Sequence, residues 1–369
     1  MSKFFKPLFC IFFFYVCEIF GYPADISYLV SDFKYSQEHG IKICEVQHGS
    51  LSALLGDLFI EGGDGKISPK IAEYFSQFLM EKWTLSSIYP PLKRSLAANG
   101  WNLSLPFRKL LQDPTFLTCA VSPPLDPSLI LSYGGIVYAD QSIVQDYNSY
   151  CKAYPGILFL NAAIFPYWRD KYKMNALFEL DDKLKQYKAE WRLYPKKYDA
   201  QLADRIQEEM PSEFYVIKPR REFLGNGVLI ISSDELDQVL SMILEPTASL
   251  KKHPDEKYSF WTKNREDSFL IEKYYRSDYI HLSSKNHYDA TMRLVFILKY
   301  DEGKMSYHCM GGYWKLPCKA IEEEGTLNEK HISFGDPPFY KAIDQELFNE
   351  VNAQMERAML LLYDKMLSK

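Results

Sequence analysis

Apolar residues follow two rhythms along the chain. Residues 26–33, ISYLVSDF, are apolar and β-branched, the polar KYSQEHG ends in Gly40, and IKICEVQ then sets Ile41, Ile43 and Val46 among polar residues. This order predicts a strand, a turn and a second strand. SPKIAEYFSQFLMEKW has helical spacing after a Ser-Pro start. A loop-rich section follows, with Pro90-Pro91, Pro106, Pro114 and Pro123-Pro124. LILSYGGIVYAD predicts a strand, QSIVQDYNSYCKAY a helix and GILFLN a strand, together a βαβ unit.

From Asp170 the pattern becomes charged and amphipathic. DKYKMNALFELDDKLKQYK and QLADRIQEEM predict helices; FYVIKP predicts a strand ending at Pro219; REFLGNG predicts a turn and VLIIS a strand. SDELDQVLSMIL predicts a helix with a Ser/Asp cap. SFLIEKYY, ATMRLVFILKY and SYHCMGGYWKL predict strands, with Asp301-Glu302-Gly303 turning between the last two. From Phe339 to Leu367 one long helix is expected, its apolar face built from Ile343, Leu347, Val351, Met355, Met359, Leu362 and Met366. No internal repeat or low-complexity segment interrupts this order.

Composition narrows the class. The 369 residues predict about two domains. With 47% hydrophobic and 25% charged residues the chain can bury a large core, which excludes disorder, collagen and simple coiled coil. A 15% aromatic share favours packed α/β or α+β structure. The net charge of −5 lacks the basic excess of a nucleic-acid binder. Seven scattered cysteines, none in a CxxC or CxxH pair, suggest neither a disulfide framework nor a zinc site. His48, His281, His287, His308 and His331 lack metal-type spacing. Residues 1–24 place Lys3 and Lys6 before an apolar run from Pro7 to Val16, too short to span a membrane. This leader reads as an export signal or weak anchor, or else as a packed hydrophobic helix or a mis-called start. A cytoplasmic location follows if it is not a signal, and an exported or membrane-associated one if it is.

The stretch with most chemical content is FYVIKPRREFLGNGVLIISSDEL. A buried strand delivers Lys218, fixed by the following proline, and Gly225, Asn226 and Gly227 form a loop back into the next strand. A lysine on a rigid strand sets a point charge against phosphate oxygens, and a glycine-rich loop lets backbone N–H groups cover them. Neither GxxxxGK[ST] nor GxGxxG is present. Downstream come FLIEKYY with Glu272, DATMRLVFIL with Arg293 and GGYWKLP with Lys315.

Over residues 160–335 this succession resembles the ATP-grasp superfamily, which includes D-alanine–D-alanine ligase, glutathione synthetase and carboxylases. The resemblance implies that Lys218 and the Gly225–Gly227 flap hold phosphates, joined by Lys171 of the Asp170-Lys171 pair that opens a helix. It implies that Glu272, Lys273 and Tyr274 contact adenine and ribose. Arg293 would bind the transferring phosphate, with Lys315 assisting and Asn328 near the substrate.

The family's magnesium carboxylates usually follow the arginine strand and a helix, in a hairpin whose second strand reads ExN. No such hairpin follows the C-terminal helix. SYLVSDFKYSQEHGIKICEVQHGS supplies one at the start, with Asp32 on one strand and Glu45-Val46-Gln47 on the other, glutamine standing for asparagine. The expectation is a circularly permuted ATP-grasp fold: leader 1–24, permuted hairpin 25–49, a preceding α/β domain 50–165 and the ATP-grasp domain 166–369. Asp32, Glu45 and Gln47 would bind Mg²⁺ through hard oxygen ligands. Cys44 should face away from Glu45. The implied activity is ATP-dependent activation of a small carboxylate or peptide for attack by an amine or thiol. The alternatives are an inactive nucleotide-binding protein and an exported interaction protein.

Overall fold

The computed structural model describes residues 25–49, 54–76, 83–84, 102–103, 111–122, 135–222, 225–247, 249–283, 286–301, 303–333 and 339–368. The expected leader and the prolines at 90, 91, 106, 123 and 124 of the loop-rich section lie outside them. The fold is mixed α/β and its two main sheets are largely antiparallel. Among the described residues no helix is long and apolar enough to cross a membrane.

The first hairpin is β1 (Asp25–Ser36) and β2 (Gly40–His48), joined by a turn in which Gly40 has φ +63°. Two short parallel strands, β3 (Trp83–Thr84) and β4 (Asn102–Leu103), form a separate pair. Then come β5 (Gly135–Tyr138), β6 (Ile157–Leu160), β7 (Trp191–Pro195), β8 (Phe214–Pro219), β9 (Leu229–Ser232) and β10 (Ser268–Lys273). The hairpin β11 (Ile280–Ser283) and β12 (Asn286–Tyr288) precedes β13 (Thr291–Asp301), β14 (Lys304–Leu316) and β15 (Phe339–Lys341).

The large sheet has seven strands in the order β15-β14-β13-β1-β6-β5, with β2 also pairing β1. All twelve residues of β1 are buried, because this strand is paired on both edges and covered on both faces. On one face Leu29 and Phe33 pack with Leu294, Phe296 and the C-terminal helix residues Val351, Met355 and Met359. On the other, Tyr28, Val30 and Val295 pack with Leu54, Ile67 and Ile71. Because β5 and β6 belong to this sheet, it runs across the expected boundary at residue 165.

A second, four-stranded sheet runs β7-β10-β8-β9. Its core joins Tyr215, Ile217, Ile231 and Phe269 to the helices Leu202–Glu209 and Leu236–Leu244. FYVIKP is strand β8 as its pattern predicts.

Four expectations change. The helix expected over 170–188 is two, Lys171–Phe178 and Asp182–Lys185, because Asp181 caps the second through the Lys183 N–H. The one expected over 141–154 is also two, parted at Asp146. The helix expected from Ser68 to Trp83 is described as Ile67–Ser76, and Trp83 is in β3. The last helix begins at Gln345, where the Asp344 carboxylate accepts from the N–H groups of Glu346 and Leu347. Phe339–Lys341 forms edge strand β15 instead.

Candidate active site

A cleft opens between the two main sheets and encloses about 1290 Å³ of empty space, its open mouth included. Its floor comes from the large sheet: Glu45 and Gln47 on β2, Asp32 and Lys34 on β1, Arg293 on β13, Lys315 on β14 and Tyr340 on β15. Its roof comes from Val216 and Lys218 of β8, Gly225, Ile230 of β9, and Glu272 to Tyr275.

The hairpin explains how Glu45 and Gln47 reach this floor. In the β1–β2 ladder Phe33 faces Ile43 but Asp32 faces Glu45, so Cys44 is an extra residue in β2. This bulge resolves the spacing Ile41, Ile43, Val46, a step of two followed by a step of three. All three side chains lie in the core packed on the C-terminal helix, while Glu45 and Gln47 line the cleft. Bulges re-aim side chains in this way. The expectation that Cys44 faces away from Glu45 is corrected: it lines the same cleft, and burial raises its thiol pKa despite the nearby Lys218 and Lys188.

Three buried charge clusters organise the walls. In the centre, Arg293 donates to Asp32 through two nitrogens, Nε to Oδ1 at 2.6 Å and one terminal nitrogen to Oδ2 at 2.7 Å. Lys315 Nζ donates to the same Oδ2 at 2.9 Å. Burial alone would raise the Asp32 pKa, but the two cations hold it well below the usual carboxylate range. Burial and the neighbouring Arg293 lower Lys315.

Under the roof, Glu272 accepts from Lys218 Nζ at 2.7 Å, Lys188 Nζ at 2.9 Å and Asn175 Nδ2 at 3.0 Å. Burial opposes its charge, and Lys188 and Lys218 overcome that, holding the carboxyl at about 2. The two lysines also tie down the bulge: Lys188 donates to the carbonyl of Ile43 at 3.0 Å, and both approach that of Cys44 at 3.3 Å.

Towards the Tyr274 end, Lys34 donates to Asp289 Oδ1 at 2.9 Å, and Asp289 Oδ2 takes His331 Nδ1 at 2.8 Å and the Tyr274 hydroxyl. Burial disfavours the Asp289 charge, but Lys34 and these hydrogen bonds hold its carboxyl at about 2.

The loop after β8 closes one side. Asp170 caps helix Lys171–Phe178 and receives two bonds from Arg220, at 2.9 and 2.7 Å. Lys171 Nζ donates to the carbonyl of Glu222 and lies 3.8 Å from Glu45. Gly225 and Gly227 have φ +72° and +67°, a conformation that glycine adopts without strain. A Cβ at Gly227 would come within 2.5 Å of Phe260 and 2.8 Å of Pro219.

Of the residues expected from sequence, Asp32, Glu45, Gln47, Lys171, Lys218, Gly225, Glu272, Lys273, Tyr274, Arg293 and Lys315 line this one cleft. Asn226 and Gly227 belong to its flanking loop but are not lining residues. Lys273 reaches outward to Glu190 at 2.7 Å. Asn328 has another task than substrate contact: its amide oxygen accepts from Ile230 N–H at 2.8 Å and its nitrogen donates to Asp255 at 2.9 Å, so it fastens β9. Glu272 is 3% exposed and its carboxylate pairs with Lys188 and Lys218. Sequence reasoning missed Lys34, Lys188, Asp289 and His331. None of the four carries a local signal: Lys34 opens the polar stretch KYSQEHG, which the sequence reads as a turn, whereas β1 continues through it to Ser36.

Magnesium is the cation implied by the resemblance. Among the described residues no group of three or more His, Cys, Asp or Glu side chains is placed to hold a metal ion. Asp32 is neutralised by Arg293 and Lys315, so it does not fit a metal role. Glu45 and Gln47 do fit: they set a carboxylate and an amide oxygen at one cleft wall, and Mg²⁺ usually takes only one or two carboxylates, completing its shell with waters and phosphates.

No family model and no curated protein matches the chain. Among solved structures, D-alanyl-alanine synthetase A from Vibrio cholerae O1 biovar eltor str. N16961 aligns at TM-score 0.32 and 10% identity, over 62% of this chain and 58% of that one. D-cycloserine synthetase DcsG aligns at 0.31 and 11%, over 76% and 81%. The D-alanine–D-alanine ligase from Coxiella burnetii aligns at 0.28 and 9%, over 84% and 94%. The chain thus spans less than two thirds of the first of these. Similarity at this level carries no argument about activity, which must come from the cleft.

Proposed function

We propose that the chain is an ATP-dependent ligase of the ATP-grasp type, which activates a carboxylate as an acylphosphate for attack by an amine or similar nucleophile. The observation that carries this reading is convergence. Lys171, Lys218, Arg293, Lys315 and the β2 pair Glu45 and Gln47 come from five separate segments and line one cleft between two sheets. Such a cleft can neutralise a polyphosphate from two sides, and phosphoryl transfer needs little from a protein beyond position and charge.

In this reading Lys171 and Lys218 hold the inner phosphates. Glu45 and Gln47 would hold Mg²⁺, which would supply positive charge to the transferring phosphates. A substrate carboxylate oxygen attacks the γ-phosphorus, the bond from that phosphorus to the β-bridging oxygen breaks, and ADP leaves. Arg293 stays planar and cationic beside the new acylphosphate, oriented by Asp32. The nucleophile then adds to the carbonyl carbon, phosphate departs with the C–O bonding pair, and the amine loses a proton. Lys218 must exchange part of its contact with Glu272 for phosphate. Lys188 remains to neutralise that carboxylate.

The same reading makes the chain order permuted. The hairpin β1–β2 comes first in sequence yet lies beside β13, the strand of Arg293. The second reading, nucleotide binding without catalysis, is favoured by one observation: Asp32 is already paired with Arg293 and Lys315.

Thermal unfolding with ATP and Mg²⁺ tests the nucleotide claim, and ADP release tests catalysis. Ligand at a hundred times its dissociation constant stabilises by about 2.7 kcal/mol; Lys218→Ala should abolish most of that shift. Glu45→Ala should remove Mg²⁺-dependent ADP release and leave the melting temperature of the free protein within a few degrees. Absence of any shift at millimolar ATP rejects both readings. A shift without ADP release across a panel of carboxylates selects the second.

A further inference from the structure

The floor of the cleft has two chemically different ends. At the β2 end, Lys218 and Lys188 hold the bulge carbonyls, so the proposed phosphate-binding groups gather there. From β2 the floor crosses β1, β13 and β14 to β15. At roughly 4.8 Å per strand this is about 19 Å, which leaves room for a second ligand beyond the cation pair Arg293 and Lys315. The β15 end is apolar. Tyr340 lies directly opposite Lys315 in the β14–β15 ladder and lines the cleft, as does Leu55 at the start of helix Leu55–Glu61. Phe59, one turn along that helix, meets Tyr340 edge-on at 5.6 Å.

These side chains are not sealed. Leu55 is 38% exposed and Phe59 61%. Single exposed apolar residues need no explanation; a cluster around the mouth of a charged cleft does. Two cations share one carboxylate in the middle of the floor, so Arg293, Lys315 and Asp32 leave a net positive charge beside an apolar wall.

Resting on the ligase reading, we infer that the β15 end is the substrate subsite and that it takes a carboxylic acid with an aliphatic or aromatic side chain. The carboxylate sits towards Arg293 and Lys315, and the side chain covers Leu55, Phe59 and Tyr340. A small or charged side chain would leave this wall wet.

The test uses the full chain with ATP and Mg²⁺, a panel of free amino acids as carboxylates, and hydroxylamine to trap the acylphosphate as a hydroxamate. Leucine and phenylalanine should react with a KM about tenfold below those of glycine and aspartate, the factor expected for partial burial of one side chain. Phe59→Ser should raise KM for phenylalanine several-fold and leave KM for ATP unchanged. Because Phe59 is largely exposed, this variant should fold, and the panel on the unaltered protein stands independently of it. Preference for glycine or aspartate, no effect of Phe59→Ser, or no reaction with any apolar acid would overturn the subsite. If ATP with Mg²⁺ still raises the melting temperature in those cases, the nucleotide reading survives; if it does not, both fall.

Discussion

Asp25 is a fully buried carboxyl whose partners among the described residues are all neutral donors: the Ser27 hydroxyl at 2.9 Å, the Ala163 N–H at 3.2 Å and the Tyr363 hydroxyl. Burial raises its pKa to about 6, against 3.8 for an unperturbed aspartate, and those hydrogen bonds recover only part of the cost. A raised folded-state pKa contributes stability that is complete below the unfolded value and lost as pH rises through the folded one. Two units correspond to roughly 3 kcal/mol, an order of magnitude only. Asp289 and Glu272 have the opposite sign: both are held near 2, so their contribution is present above pH 4.5 and lost on acidification towards 2. Between pH 4.5 and 7 the half-buried His48 and His308, whose pKa burial lowers, gain stability as pH rises, and Asp57, raised by burial, loses it, so Asp25 is isolated by comparing the parent with Asp25→Asn across that interval. Urea unfolding should show the parent losing stability relative to Asp25→Asn across that interval, and the variant should be the more stable at pH 7.5. A less stable variant there would show that the hydrogen bonds outweigh the charge. Residue-scale features of this kind differ in legibility. Lys218 and Arg293 stand out as cations in apolar runs. Lys34 and Asp289 bond across 255 positions, and no local pattern announces such a pair.

The elements show where a period-based reading succeeds and where it cannot. Strands buried on both faces, such as β8 and β13, are legible because their apolar runs are continuous. Edge strands β7 and β15 were not, since Trp191–Pro195 buries only Trp191 and Tyr194 and so lacks the alternation of a half-buried strand, and Phe339–Lys341 is three residues long. The bulge at Cys44 was latent in the uneven spacing of Ile43 and Val46, but only the pairing with β1 identifies it. What holds the bulge against the second sheet is Glu272 with its two lysines, and this sets an order of effects. Glu272→Gln leaves Lys188 and Lys218 close together without an anion, and breaking a buried pair in this way costs about 3–5 kcal/mol. Lys188→Met leaves Glu272 paired with Lys218, so its cost should be clearly smaller. Denaturant midpoints of the two variants at pH 7 measure this. Equal losses would mean that the lysine bonds to the carbonyls of Ile43 and Cys44 matter as much as the charge balance.

At the scale of the molecule, the question is whether the order of segments matters or only their contacts. Tyr363, near the end of the last helix, bonds the backbone carbonyl of Asp25 at 3.2 Å, so the start of β1 and the end of that helix are neighbours. From Tyr363 to Ser368 is five residues, about 8 Å if helical. A short glycine-serine linker can close the remaining gap, and a loop of that length adds little closure entropy. The strand contacts of β1 with β13 and of β2 with the bulge anchors are all non-covalent and survive rewiring. A permutant that joins residue 368 to residue 25 and opens the chain between 49 and 54 would place the hairpin after the helix and start with helix Leu55–Glu61. If the cleft depends only on these contacts, the permutant should fold, keep a thermal shift with ATP and Mg²⁺ within a few degrees of the parent, and lose that shift on Lys218→Ala. Cutting at 49 separates Gln47 from Leu55, which line opposite ends of the cleft. KM for the carboxylate is therefore the parameter expected to change most. A permutant that folds but no longer responds to ATP would show that the covalent link from β2 to helix Leu55–Glu61 positions the nucleotide end, and that segment order is part of the site.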